Sequence, residues 1–454
     1  MRDLFIIMTM KLNTYKVLAI AIIAIISVIS CQTDWTDEMT PHGNYNGNPA
    51  ERLENEDRRK VMLLYIAGFN NLKSYLTKNI EDLKKGWLPG PGRNNDIILV
   101  YSHMLGPDNS YLEPSSPTLT RIYTDYSGEI VADTLIIYDK NTISSSADNL
   151  KMVLNDVRER FSAQSYGLVF SSHATGYLPT GYYTRPGDYV FKEKMMYRYG
   201  RNERNSLTYA PYVEIEHAPD RPMTKSIGQD YYDGMSYEIE LDDFAKAIPM
   251  KLDYILFDAC LMGGIEVAYE LADKCERIGF SQTEVLAQGF NYTTIATHLL
   301  HNKRTAEPEM VCKDYIDYYN SQTGVHRSAT ISMVDCSKLE PIAEICKELF
   351  QKYRNGINTV TPSKVQRYYT GAHKWFYDLE SILKESGASQ EDMERLKDAI
   401  DRCIVYKGHT PSFLGEFDIR TFSGFSMYLP RNGSSQLDLY YKTLKWNKAT
   451  GLVE

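Results

Sequence analysis

A three-layer α/β sandwich is the fold the sequence predicts: a mainly parallel central sheet flanked by helices, with a smaller C-terminal α/β section. Three observations predict it. Short apolar runs such as "VMLLYIAG", "DIILVYS", "YGLVFSS" and "YILFDA" lack polar alternation, as suits strands buried on both faces. These runs alternate with segments of helical period, the pattern of crossover connections over a parallel sheet. At 454 residues, 43% hydrophobic and 24% charged, the chain can bury a large core.

The N-terminus comes before that core. Lys11 and Lys16 precede "VLAIAIIAIISVIS", a run too short for a membrane span and laid out like a secretory signal. Its end, "VISC", resembles the lipobox of bacterial lipoproteins, which implies lipidation of Cys31, export and a lipid anchor in the cell envelope. An uncleaved anchor helix is the alternative. The following stretch to residue 57 is rich in Asp, Asn, Gly and Pro and reads as a tether. The expected division is therefore signal segment 1–31, tether 32–57, core 58–300 and C-terminal section 301–454. The net charge of -9, with no dense Lys/Arg block, argues against a nucleic-acid partner.

Along the core, the strand candidate from Val61 is closed by Gly68 and the pair Asn70, Asn71. A helix stopping at Gly86 follows, then the strand "DIILVYS". "LTRIYTDYSGEIVADTLIIYDK" predicts a hairpin about Ser127-Gly128, and "SADNLKMVLNDVRERFSA" an amphipathic helix starting at Ser146 or Asp148. "SYGLVFSSHATG" and "KLDYILFDAC" each run from an apolar strand to a reactive side chain. Ligands in such sheets collect outside the carboxyl ends of the strands, so His173 and Cys260 are expected at one water-accessible crevice if their strands are neighbours. Cys260 is also expected at the N-terminus of the helix "MGGIEVAYELADKC", where the dipole favours a thiolate. The competing reading of both residues is structural, a small core thiol and a satisfied core imidazole.

In the C-terminal section, "PEMVCKDYIDYYNSQ" is helical and "SATISMVD" a strand. "KLEPIAEICKELFQKYRNG" is a long helix ending at Gly356, and "SQEDMERLKDAIDRCIVYKG" a helix capped by Ser389. "FSGFSMYLP" is expected as a final strand returning to the sheet. Apart from Cys31 the cysteines are Cys260, Cys275, Cys312, Cys336, Cys346 and Cys403, with no CxxC and no zinc spacing. "CLMGG" lacks the glycine spacing and lysine of a phosphate loop. Asp230 and Asp233 raise calcium, but "DYYD" lacks the ligand density of a dedicated loop. No metal and no cofactor are expected.

The ordered set "YGLVFSSHATGYLP", "IELDDFAKAIP", "LDYILFDACLMGGIEVAYEL", "GFSQTEVLAQGFNY" and "GFSMYLP" resembles the clostripain family of cysteine peptidases, which shares the caspase and gingipain fold. The resemblance runs from about Met62 to Pro430. It implies an endopeptidase with a His-Cys dyad, His173 and Cys260, working through a thioester on a peptide or protein substrate. It also implies an oxyanion hole from the backbone N–H groups of Cys260 and Ala174, and Asp258 as a site for a basic side chain, with cleavage after Arg or Lys. Two positions depart from the family pattern: Ala174 replaces a glycine, and Gln288 stands where an acid would reinforce Asp258. Ala174 keeps open the reading of a weakened, binding-only lipoprotein, and an acyl-transferring thiol enzyme is a further alternative. Some relatives mature by internal cleavage, and the long Tyr-rich insertion between the dyad residues offers Lys192, Arg198, Arg201 and Arg204 as cleavage sites.

Overall fold

The computed structural model describes residues 59–91, 95–106, 115–191, 208–211, 222–224, 230–232, 235–301 and 305–454. Cys31 and its preceding run, the tether, Asp233, Lys192, Arg198, Arg201 and Arg204 lie outside the described residues. The described residues belong to one compact unit.

Among the described residues nine strands make the central sheet, in the order β13-β11-β10-β9-β5-β1-β2-β3-β4. Its middle is parallel: β2 (Ile97–Met104), β1 (Lys60–Gly68), β5 (Ser165–Ser171), β9 (Leu252–Asp258) and β10 (Cys275–Phe280) all run one way. Every residue of β1 is buried, as its unbroken apolar run requires. Antiparallel pairs extend both sides. The predicted hairpin forms β3 (Thr118–Thr124) and β4 (Ile130–Ile137), and β11 (Thr330–Asp335) with β13 (Ile404–His409) adds to β10.

Helices cover both faces. Helix α1 (Lys73–Lys85) stops at Gly86, α2 (Ala147–Arg160) starts at Ser146, whose hydroxyl accepts from the Asn149 N–H, and α3 (Leu241–Ala247) carries Phe244. Pieces of the insertion form a small sheet, β6 (Thr208–Pro211), β8 (Met235–Glu238) and β7 (Asp230–Tyr232), in that spatial order. Asp230 moors it to the start of α2, its carboxylate accepting from the Ser144 hydroxyl and the Ser145 N–H.

Three expectations need correction. The helix after Cys260 is short, α4 (Ile265–Glu270), with Gly264 as its N-cap, so Cys260 lies upstream in a turn and gains no helix-end stabilisation. The helix expected to end at Gly356 breaks at Tyr353 into α5 (Leu339–Lys352) and α6 (Arg354–Thr359). Gly356 sits inside the second piece because a Cβ there would lie 1.9 Å from the Ser386 carbonyl oxygen. The "FSGFSMYLP" strand does not rejoin the main sheet. Its β16 (Ser426–Met427) pairs with β12 (Tyr377–Asp378) and bridges to Gly264, beside the Cys260 turn.

Candidate active site

Three adjacent parallel strands, β1, β5 and β9, end at one edge, and their loops supply Asn71, His173 and Cys260. The register fixes the last two relative to each other. Ser171 pairs with Asp258 across β5 and β9, so His173 and Cys260 each lie two residues past a matched pair. Neighbouring strands are about 4.8 Å apart. Beyond the strands the loops still touch: a Cβ on Gly176 would stand 2.5 Å from the Leu261 carbonyl oxygen, which is why glycine, at φ +65°, occupies that place.

The loop after β1 is shaped by Asn70. Its side-chain amide donates to the Ala67 carbonyl at 3.2 Å and its oxygen accepts from the Leu72 N–H at 3.0 Å, an Asx-type turn that presents Asn71. The Ser172 hydroxyl donates to the same Ala67 carbonyl at 2.7 Å, tying the end of β5 to that of β1. Between these anchors, His173 Nε2 lies 2.9 Å from Asn71 Oδ1. Sequence reading missed Asn71, although an Asn doublet closing an apolar strand was its only local trace.

Cys260 is held from the other side. Residues 281–285, after β10, run along the cysteine turn: the Leu261 N–H donates to Thr283 O (3.0 Å), the Gly263 N–H to Ser281 O (2.7 Å) and the Val285 N–H to Cys260 Sγ (3.0 Å). Leu261 carries φ +61°, a left-handed conformation that L side chains rarely adopt, so this turn is strained where the thiol is presented. Ala174, which stands where the family has glycine, does not have a positive φ, so its side chain adds no left-handed strain there.

The crevice expected at both residues reaches only the imidazole among the described residues. His173, Ala174, Thr175 and Met262 line a small cleft together with Phe170, Phe244 and Phe257, while Cys260 is fully buried. Tyr183 belongs to the cover. Its ring stacks on His373 at 3.9 Å, its hydroxyl donates to Glu284 at 3.2 Å, and burial beside Glu284 and Cys260 pushes its phenol well above the usual value. Glu238 and Glu240 clamp the same stretch by accepting from the Gly181 and Thr180 N–H groups.

Asp258 is buried, with Oδ2 accepting from the Ser171 and Tyr292 hydroxyls at 2.9 and 2.7 Å. Its carboxylate abuts Gly289, where a Cβ would come within 2.4 Å of Oδ1. On the far side of the cysteine turn, Glu266 accepts from the Tyr428 N–H (2.8 Å) and the Tyr441 hydroxyl (2.7 Å), and burial raises it to about 7. Among the described residues no group of three or more His, Cys, Asp or Glu is arranged to hold a metal ion.

The Clostripain family model matches residues 64–189 and 215–451, most of the chain and the whole of the edge just described. The chain belongs to the clostripain family. Solved structures agree. The inactive zymogen of a C11 protease from Parabacteroides distasonis shares 25% identity at a TM-score of 0.67, covering 87% of this chain and 98% of that one. A secreted C11 cysteine protease from Bacteroides thetaiotaomicron shares 23% identity and the fold, with a TM-score of 0.66 over 87% and 99% of the two chains. A structure of such a protease with an irreversible peptide inhibitor also matches, at 22% identity and a TM-score of 0.65, over 87% and 99% of the two chains. No curated protein matches the chain. This member of the clostripain family is a cysteine peptidase of caspase-like fold.

Proposed function

We propose that the chain is an endopeptidase in which Cys260 is the nucleophile and His173 its acid-base partner. The observation that carries this reading is the β5/β9 register, which sets both residues at matched positions on neighbouring strand ends. If Asn71 Oδ1 is the acceptor, His173 Nε2 holds the proton and Nδ1 the lone pair, a tautomer suited to receiving the thiol proton. The sulfur then attacks the scissile carbonyl, the imidazolium protonates the departing amine, and water cleaves the thioester. The Val285 N–H favours negative charge on sulfur. The Cys260 and Ala174 N–H groups are the proposed oxyanion donors; the absence of a positive φ at Ala174 supports its part.

Asp258 is the proposed seat of an Arg or Lys side chain, since a buried carboxylate two residues before the nucleophile attracts a cation. The fully covered thiol fits a precursor that opens after cleavage within the insertion, whose basic residues are the proposed sites. Cys31, by its resemblance to a lipobox cysteine, supports export and lipid anchoring in the cell envelope; loss of membrane association in Cys31→Ala tests that. For the site, a peptide ending in Arg or Lys and carrying a thiol-reactive group is expected to label Cys260. Asp258→Asn should slow that labelling at least about tenfold and leave a probe with a neutral terminal residue unaffected. Labelling that survives in Cys260→Ser would overturn the assignment.

A further inference from the structure

We infer that Cys275 and Cys336 are an oxidation site that closes to an intramolecular disulfide. Their sulfurs lie 3.8 Å apart, both residues buried and both thiols reduced. The contact follows from the sheet. Arg277 pairs with Asp335 across antiparallel β10 and β11, which would put Cys275 and Cys336 one position out of register and on opposite faces. The chain turns there, however: β11 ends at Asp335 and a 3-10 turn spans Cys336–Lys338, swinging the Cys336 side chain to the face of Cys275. A disulfide needs about 2.05 Å between sulfurs, so side-chain rotation must close roughly 2 Å.

Cys403 is the neighbouring thiol, its sulfur donating to the Asp335 carbonyl at 3.4 Å, one residue before Cys336. Cys336, at 6% exposure, is the entry point for an oxidant, whereas Cys275 is 1% exposed. A low-molecular-weight disulfide such as oxidised glutathione supplies the chemistry. The Cys336 thiolate attacks one glutathione sulfur and releases a glutathione thiolate. The Cys275 thiolate then attacks the Cys336 sulfur and releases the second. Two thiol protons and two electrons leave the protein, and one glutathione disulfide becomes two thiols. Burial and the neighbouring thiol raise the Cys275 pKa, so the exchange is slow at neutral pH and quicker at pH 9.

This bond would not touch the nucleophile. Cys275 pairs with Leu252 at the start of β9, about 20 Å along the strand from Asp258. The inference therefore stands apart from the dyad reading, and its test is run in Cys260→Ala to keep the reactive thiol out of the products. After incubation with excess oxidised glutathione at pH 9, alkylation and peptide mapping should yield a fragment joining Cys275 to Cys336, lighter by two hydrogens. The bond closes a long loop, since the pair is 61 residues apart, so the melting temperature should rise by about 5 °C and fall back on reduction. Cys336→Ser should abolish both changes, and Cys403→Ser should leave them intact. Full alkylation of Cys275 and Cys336 after that incubation in the Cys260→Ala background, or a bond from Cys336 to Cys403, would overturn the inference.

Discussion

The two ends of the central sheet bury polar groups in opposite ways. At the amino end, Lys60 and Asp96 close on each other: Nζ lies 2.9 Å from Oδ2 and the Lys60 N–H donates to Oδ1 at 2.8 Å, with both side chains almost wholly buried. The Ser165 hydroxyl donates to Asp253 nearby. At the carboxyl end, by contrast, a thiol, an imidazole and a carboxamide come from three loops, beside a cleft and a strained Leu261. Paired burial of opposite charges reads as architecture. A thiol and an imidazole held at a strained edge fit the chemistry proposed for them, and the difference lies in the partners, since burial is common to both.

The sharpest test of that contrast is Cys260→Ala. Peptide hydrolysis should fall by about 10⁴-fold or more while the melting temperature moves by only a few degrees, because one sulfur atom is removed from a packed turn. Loss of folding in step with activity would put this end in the same class as the other. Asp96→Asn is the mirror experiment. It strands the Lys60 ammonium, so unfolding in denaturant should show a loss of about 3 kcal/mol, with specific activity of the folded fraction unchanged.

Asn71→Ala probes a smaller effect. Turnover should drop about tenfold to a hundredfold through misplacement of His173, and the acid limb of the pH profile should shift; Asn71→Asp, which keeps an acceptor, should restore part of the rate. An unchanged profile would reduce Asn71 to a loop residue. The smallest effect is expected at Glu266, a buried acid raised to about 7 with no cation among the partners described above. Its folded-state pKa lies above the unfolded value, so below about pH 4 both states hold the proton and the residue is neutral to stability. As pH rises toward 7 the unfolded chain releases a proton that the folded protein retains, and stability declines; above that window it is level. Glu266→Gln should therefore raise stability by about 1 to 2 kcal/mol at pH 8 and by little at pH 4, measured by thermal unfolding at both.

Sequence made the strands legible because those of the parallel core are buried on both faces and read as unbroken apolar runs. The placement of His173 and Cys260 at neighbouring strand ends was legible for the same reason, each following such a run. What escaped depends on contacts distant in sequence. Asn71 stands 102 residues from His173, and only the pairing of β1 with β5 brings them together. Residues 281–285 bond along the cysteine turn, where Leu261 is left-handed and α4 begins only at Ile265, none of which a helical period announces. "FSGFSMYLP" has the composition of a strand, but composition cannot name its partner, here β12 and Gly264. Gly356 looked like a stop signal, yet the absent side chain makes room for a carbonyl.

The order β9-β5-β1 has a consequence for any nick in the insertion. Everything before the nick holds β4, β3, β2, β1 and β5, and everything after it holds β9, β10, β11 and β13. Within the main sheet the two halves meet along a single seam, β5 against β9, and that seam ends between His173 and Cys260. A nicked molecule would thus carry imidazole and thiol on separate polypeptides, migrating as two bands when denatured and as one particle when native. Separately expressed halves that recover hydrolysis only on mixing would demonstrate this division of labour.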